Sequence, residues 1–172
     1  ILYVFILTGI YLIFKKISLK FIFAIYLFAI AISSVQLLPT MELYRYSARE
    51  DSGLQKFIRT TTLPWSNLAT IFAPDYYGNP ATNNFRKSNY DNSIGYAGIV
   101  ALTLAGIAVI NKKSKITYLF FLLAIFGLAF SLWPLALIFP FFHIPILSTG
   151  FLSRNIFFFE LSVAILSALS LD

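Results

Sequence analysis

Apolar residues in this chain come in unbroken blocks, and this constrains the fold more than any other feature. The run at 21–38, FIFAIYLFAIAISSVQLL, approaches the ~20 apolar residues that carry a helix across a bilayer. Similar runs occupy 94–110, 116–133 and 156–171, and a shorter one, ILYVFILTGIYLIF, occupies 1–14. Blocks of this kind describe helices, because the strands of a transmembrane barrel would alternate apolar and polar residues. Hydrophobic residues fill 59% of the 172 positions and charged residues 12%, about half the ~25% charged share of a soluble domain. The expected fold class is all-α: one transmembrane domain over 1–172, a polytopic helical bundle of about five spans. The run 1–14 is short for a crossing and reads as the end of a truncated span, which makes the chain a piece of a longer protein.

The lysines set the expected topology. Lys15, Lys16 and Lys20 separate the first two runs, and Lys112, Lys113 and Lys115 separate the third and fourth. Basic residues collect in cytoplasmic loops. Two crossings lie between the two clusters, so both fit on the inner side. The segments 39–93 and 134–154 then share the outer face of a multi-pass protein of the cell membrane. The outer segment 39–93 carries six basic and five acidic residues, close to neutral, as a translocated loop should be. The net charge of +6 is accordingly read as orientation, and no nucleic-acid partner is expected.

The long outer loop is expected to be partly helical. Pro39 closes the second span, since a residue before proline avoids the helical region. Thr40 then caps a short helix, Met41 to Arg49, lying along the membrane surface. After Pro64 the run WSNLATIF forms a second short helix, stopped by Pro74, and Asp75 to Ser93 is rich in turn residues. Small residues in 94–110, among them Gly95, Gly98, Ala105 and Gly106, allow close helix packing. Pro134, Pro140 and Pro145 make the apolar stretch 134–150 irregular, as a re-entrant or interfacial segment.

Candidate site residues follow from charge and place. Glu42, Arg45 and Arg49 fall at i, i+3 and i+7 on one helix face. The arginines suit a phosphate, to which a guanidinium donates two parallel hydrogen bonds; the alternative is an ion pair on a solvated face. Arg154, at the entry of the fifth span, is either a phosphate clamp or an interfacial anchor that snorkels to head groups. Glu160 lies two turns further on, where a carboxylate is costly and either functional or partnered by another helix. His143 is the lone histidine, structural or in contact with substrate. Tyr96, Trp65, Tyr76 and Tyr77 could stack on sugar rings, or belong with the interfacial aromatics. There is no cysteine, no Gly-rich phosphate loop, no Ser/His/Asp set and no metal-ligand spacing, so no metal and no cofactor are expected.

Four stretches carry a resemblance. QLLPTMELYRYSAR follows a Q-x-x-P-x-x-E-x-x-x-x-S-x-R pattern; LPWSNLATIFAPDYYGN and NSIGYAGIVALTLA form a second and third block; PFFHIPILSTGFLSRNIFFFELSVAILSALSLD forms a fourth. In order and spacing, over 36–172, they resemble the bacterial YfhO family of polytopic membrane proteins. That family is placed with the GT-C glycosyltransferases, whose donors are polyprenyl-phosphate sugars. The resemblance implies a GT-C-like bundle that transfers sugar from such a lipid to a cell-envelope glycan or glycolipid. It supports Glu42 and Arg49, which stand in the first pattern. Two departures are visible: one arginine, Arg154, stands where two are expected, and the closing Gly-x-Asp is replaced by Ser170-Leu171-Asp172. The family's catalytic acidic motif lies in an earlier external loop, so the catalytic residue is expected upstream of Ile1. A transporter or flippase segment, or a purely structural membrane domain, are the rival expectations.

Overall fold

The computed structural model describes residues 2–45, 61–85, 95–132, 134–138 and 152–171. Every regular element among them is helical, and strand-like pairing is confined to one isolated bridge, Leu63 with Leu132. The chain forms two compact units, Ile1–Gly53 and Leu54–Asp172. Of the expected irregular stretch 134–150, the described part holds a 3-10 turn, Leu135–Leu137, and residues 139–150 lie outside the described residues.

The first unit is a helical hairpin, α1 (Leu2–Phe14) and α2 (Leu19–Arg45). Its turn is a Schellman motif, in which Ile17 N–H donates to the Leu12 carbonyl at 3.1 Å and Lys16 N–H to the Ile13 carbonyl at 2.9 Å. The motif needs a left-handed residue at its second last position, and Lys16 takes it with φ of 57°. A side chain there costs about 1–2 kcal/mol. Lys16→Gly should therefore stabilise the hairpin by about 1 kcal/mol, seen as a higher unfolding midpoint in detergent; an unchanged or lower midpoint would contradict the turn geometry. One polar clasp joins the helices. The Tyr26 hydroxyl donates to the Phe5 carbonyl at 2.6 Å and lies 3.0 Å from Thr8 Oγ1, and the Tyr26 ring stacks on Phe5. Gly9 leaves the space for it, since a Cβ there would stand 2.8 Å from that hydroxyl.

The second helix departs from expectation. It does not end at Pro39 but runs through it to Arg45, so Thr40 is no cap and Met41 to Arg45 begin no new helix. Proline removes one backbone donor and crowds the carbonyl four residues back. Here the Thr40 hydroxyl donates to the Gln36 carbonyl at 2.7 Å, next to the Val35 carbonyl that the proline leaves without its usual partner. Side-chain hydroxyls of this kind let helices carry proline in apolar surroundings. Around α2 the apolar residues are exposed on every side, from Phe21, Phe23 and Phe28 to Val35, Leu38 and Leu43, and only Ile22 is buried.

Among the described residues the second unit has three α-helices, α3 (Ile99–Asn111), α4 (Lys115–Ser131) and α5 (Ile156–Leu171). A tight turn joins α3 to α4, and Ser114 caps α4 by accepting from Thr117 N–H at 3.1 Å. α5 packs against both, while α3 and α4 touch each other only sparingly. Buried residues recur at helical spacing: Ala105 and Ala108 on α3; Phe120, Leu123, Ala124 and Gly127 on α4; Phe158, Phe159, Ser162, Val163 and Leu166 on α5. The closest approach is at Gly127, where a Cβ would lie 2.6 Å from the Phe159 nitrogen and 2.9 Å from the Asn155 carbonyl oxygen. Gly106, by contrast, faces open space. The third run becomes helical at Ile99, after Gly98 at φ of 92°, and not at 94.

Among the described residues two helices are long and apolar enough to cross a membrane: Leu19–Leu43 and Leu152–Leu171, the latter counting the 3-10 turn that leads into α5. The other apolar helices, Val4–Phe14, Ile99–Asn111 and Lys115–Ser131, are shorter.

Candidate functional site

Several separate stretches meet at one end of the second unit. α4 ends there and α5 begins there. Asn155 Nδ2 donates to the Phe130 carbonyl at 3.1 Å and to the Leu152 carbonyl at 3.0 Å, which ties the start of α5 to the end of α4. Leu63 N–H donates to the Ser131 carbonyl at 2.8 Å and brings in the segment 61–85. That segment continues as the expected short helix, in 3-10 form over Trp65–Ile71. Thr70 reaches the lead-in to α3, where Gly95 N–H donates to its hydroxyl at 3.4 Å. Gly95 in turn lies against Ile156, the first residue of α5; a Cβ on it would stand 2.7 Å from Ile156 Cγ1.

The junction is polar and closed to solvent. Thr61, Thr62, Asn67, Thr70, Ser131, Ser153 and Asn155 are all buried. Thr70 Oγ1 donates to the Asn67 carbonyl at 2.6 Å, and Ser131 Oγ to the Leu128 carbonyl at 2.8 Å. The Ser153 hydroxyl is buried with no hydrogen-bond partner. Beyond Ile71 the chain folds into a small knot of asparagines. Asn79 Nδ2 donates to Asp75 Oδ1 at 3.1 Å, Ala81 N–H to Asn79 Oδ1 at 2.9 Å, and Asn79 N–H to Asn84 Oδ1 at 2.7 Å. Gly78, at φ of 90°, is required here, because a Cβ would strike the Asn84 carbonyl.

Arg154 and Tyr96 stand beside this junction. Arg154 is exposed, in the 3-10 turn Leu152–Asn155, between buried Ser153 and buried Asn155. Its two neighbours fix the backbone, so the guanidinium is presented from an anchored turn. The 3-10 turn Leu152–Asn155 runs straight into α5, so Arg154 stands in the first turn of one continuous helix, Leu152–Leu171. Tyr96 is 41% exposed and follows Gly95, which touches Ile156 two residues beyond Arg154. The arrangement can bind an anion between a guanidinium and a helix start, with an aromatic ring near by.

The remaining candidates fall elsewhere. Glu42 is exposed in the last turn of α2, in the first unit. Arg45 ends that helix, but its side chain, like the whole of Arg49 and His143, lies outside the described residues. Glu160 is half-buried on α5, and among the described residues it has no hydrogen-bond or ion-pair partner. Among the described residues no group of acids and histidines could hold a metal. Asn67, Thr70 and Asn155 were not anticipated from the sequence. The available signal was the spacing of Asn67 and Thr70, three apart on one face of a short helix. Comparison with protein-family models, curated proteins and solved structures finds no match.

Proposed function

We propose that the chain is part of a polytopic membrane glycosyltransferase of the YfhO type, with a GT-C-like bundle of about five spans. It moves a sugar from a polyprenyl-phosphate donor to a cell-envelope glycan or glycolipid on the outer face. The observation that carries this reading is the convergence just described. Three of the four stretches that resemble the family, around Leu63–Asn79, Gly95–Gly98 and Leu152–Ile156, meet at one end of one helical unit. In this reading Arg154, in the first turn of the continuous helix Leu152–Leu171, holds the donor phosphate with its forked guanidinium. Tyr96 offers a ring face to the sugar. Glu42, Arg45 and Arg49 form a second polar group at the outer end of α2, and His143 a further substrate contact.

The activity is tested with the full-length protein in proteoliposomes, given a polyprenyl-phosphate donor labelled in its sugar. Covalent transfer of label to an envelope-glycan acceptor is the expected result. Movement of the lipid or of a solute without a new glycosidic bond would replace the reading with a transporter. The topology has its own test, helped by the absence of cysteine. Ala81→Cys, on an exposed loop site, should react with an impermeant thiol reagent from outside intact cells, and Lys113→Cys only after permeabilisation. The reverse pattern would invert the topology and remove the outer-face reaction.

A further inference from the structure

The short helix Trp65–Ile71 and the turn after it are reversed in polarity. Their inner side carries Asn67, Thr70 and Ile71, which are 0%, 1% and 5% exposed. Their outer side carries Trp65, Phe72 and Tyr76, which are 54%, 64% and 64% exposed. Polar side chains inside and aromatic rings outside suit surroundings less polar than water. The segment is also held in shape: Tyr77 OH donates to the Ser66 carbonyl at 2.8 Å, Ala73 N–H to the Ala69 carbonyl at 3.0 Å, and Tyr76 N–H to the Ala73 carbonyl at 3.1 Å.

Its place identifies those surroundings. The segment is tied to the end of α4 through Leu63 and to the start of α3 through Thr70. α5 also begins at this end, and with its leading turn it is long enough to cross a membrane. A segment laid across the end of a crossing helix sits at the level of the lipid head groups, where Trp and Tyr rings concentrate. Between 61 and 85 there is no lysine or arginine, and Asp75 is the sole charge, so the outer side lacks what an acidic polymer would need. From polarity and place together we infer that Trp65, Phe72 and Tyr76 insert into the interfacial layer of the bilayer and hold this segment flat on the membrane. The inference rests on α5 crossing the membrane, as proposed above, and not on sugar transfer.

Single nitroxide labels test it, on the whole chain reconstituted into vesicles of phosphatidylcholine and phosphatidylglycerol. Labels replace Phe72, Tyr76, Ala81 and Ala164, the last exposed on α5. At Phe72 and Tyr76, collisions with oxygen should exceed those with a water-soluble nickel chelate several-fold, and at Ala81 the order should reverse. In unlabelled Trp133→Phe protein, lipids brominated near the head group should quench Trp65 fluorescence, which guards against a label that perturbs the fold. Oxygen-rich Ala164 with water-exposed Phe72 and Tyr76 would overturn the anchor and leave the crossing intact. Water exposure at Ala164 as well would overturn the crossing too. Labels shielded from both reagents, or water-exposed labels immobilised only by added oligosaccharide, would overturn the lipid assignment in favour of a covering protein segment or a sugar platform.

Discussion

Replacing Gly127 with alanine lowers the stability of the second unit by about 2 kcal/mol, and replacing it with leucine prevents α4 and α5 from packing. The effect is large because the added carbon meets backbone. A Cβ on Gly127 falls 2.6 Å from the Phe159 nitrogen, 2.7 Å from Phe158 Cβ and 2.9 Å from the Asn155 carbonyl oxygen. None of these can swing aside as the tip of a long side chain can. The two helices must separate, and the contacts around Phe158 and Leu123 loosen with them. Gly106→Ala supplies the control, since nothing lies within 4 Å of its added carbon. That change should leave stability the same or raise it by up to ~1 kcal/mol, through the better helix propensity of alanine. Denaturation of the two variants in mixed micelles is the measurement. Equal midpoints would mean that α4 and α5 do not meet at Gly127.

The second large effect concerns Arg154. In the full-length protein, Arg154→Ala should reduce sugar transfer from the lipid-linked donor by roughly 100-fold, the scale on which a positioned charge acts on a reacting group. Folding should survive, because the turn is held by buried Leu152, Ser153 and Asn155 while the arginine side chain is exposed. Arg154→Lys should recover little, since an ammonium keeps the charge but loses the forked pair of hydrogen bonds. Transfer is followed at limiting donor, with the melting profile of each variant as the check on folding. Wild-type turnover by Arg154→Ala would leave this arginine as an interfacial anchor alone.

Much of the helical plan was legible because it depends on local chemistry. The basic stretches 15–20 and 111–115 read as tight loops, and WSNLATIF read as a short helix between Pro64 and Pro74; the structure turns within both stretches, more tightly than expected, and forms the helix over Trp65–Ile71. Pro39 misled, because proline need not end a helix: α2 runs through it to Arg45, and the Thr40 hydroxyl bonds the Gln36 carbonyl beside the one that proline leaves without its donor. Gly127 was hidden for another reason. α4 is apolar on all sides, so its sequence carries no periodic signal to say which side meets α5. The small residues of the third run suggested a packing stripe, yet Ala105 and Ala108 are buried while Gly106 faces open space. The junction of Asn67, Thr70 and Asn155 joins positions up to 88 apart, which no local pattern announces.

The sparing contact between α3 and α4 has a consequence for biogenesis. These helices leave the ribosome first, joined by a tight turn, and neither supplies the other's main partner. Until α5 emerges, Ala105 and Ala108 on one and Phe120 and Gly127 on the other lack the helix that is their main partner among the described residues. In the membrane reading proposed above, lipid or insertion machinery would face this hairpin while the following residues are translated, including the prolines at 134, 140 and 145. Closure comes as α5 slides in, in a single late step that brings Asn155 to Phe130 and Gly95 to Ile156 together. Release of the insertion machinery should therefore coincide with α5, and a nascent chain arrested before Leu152 should stay bound to it.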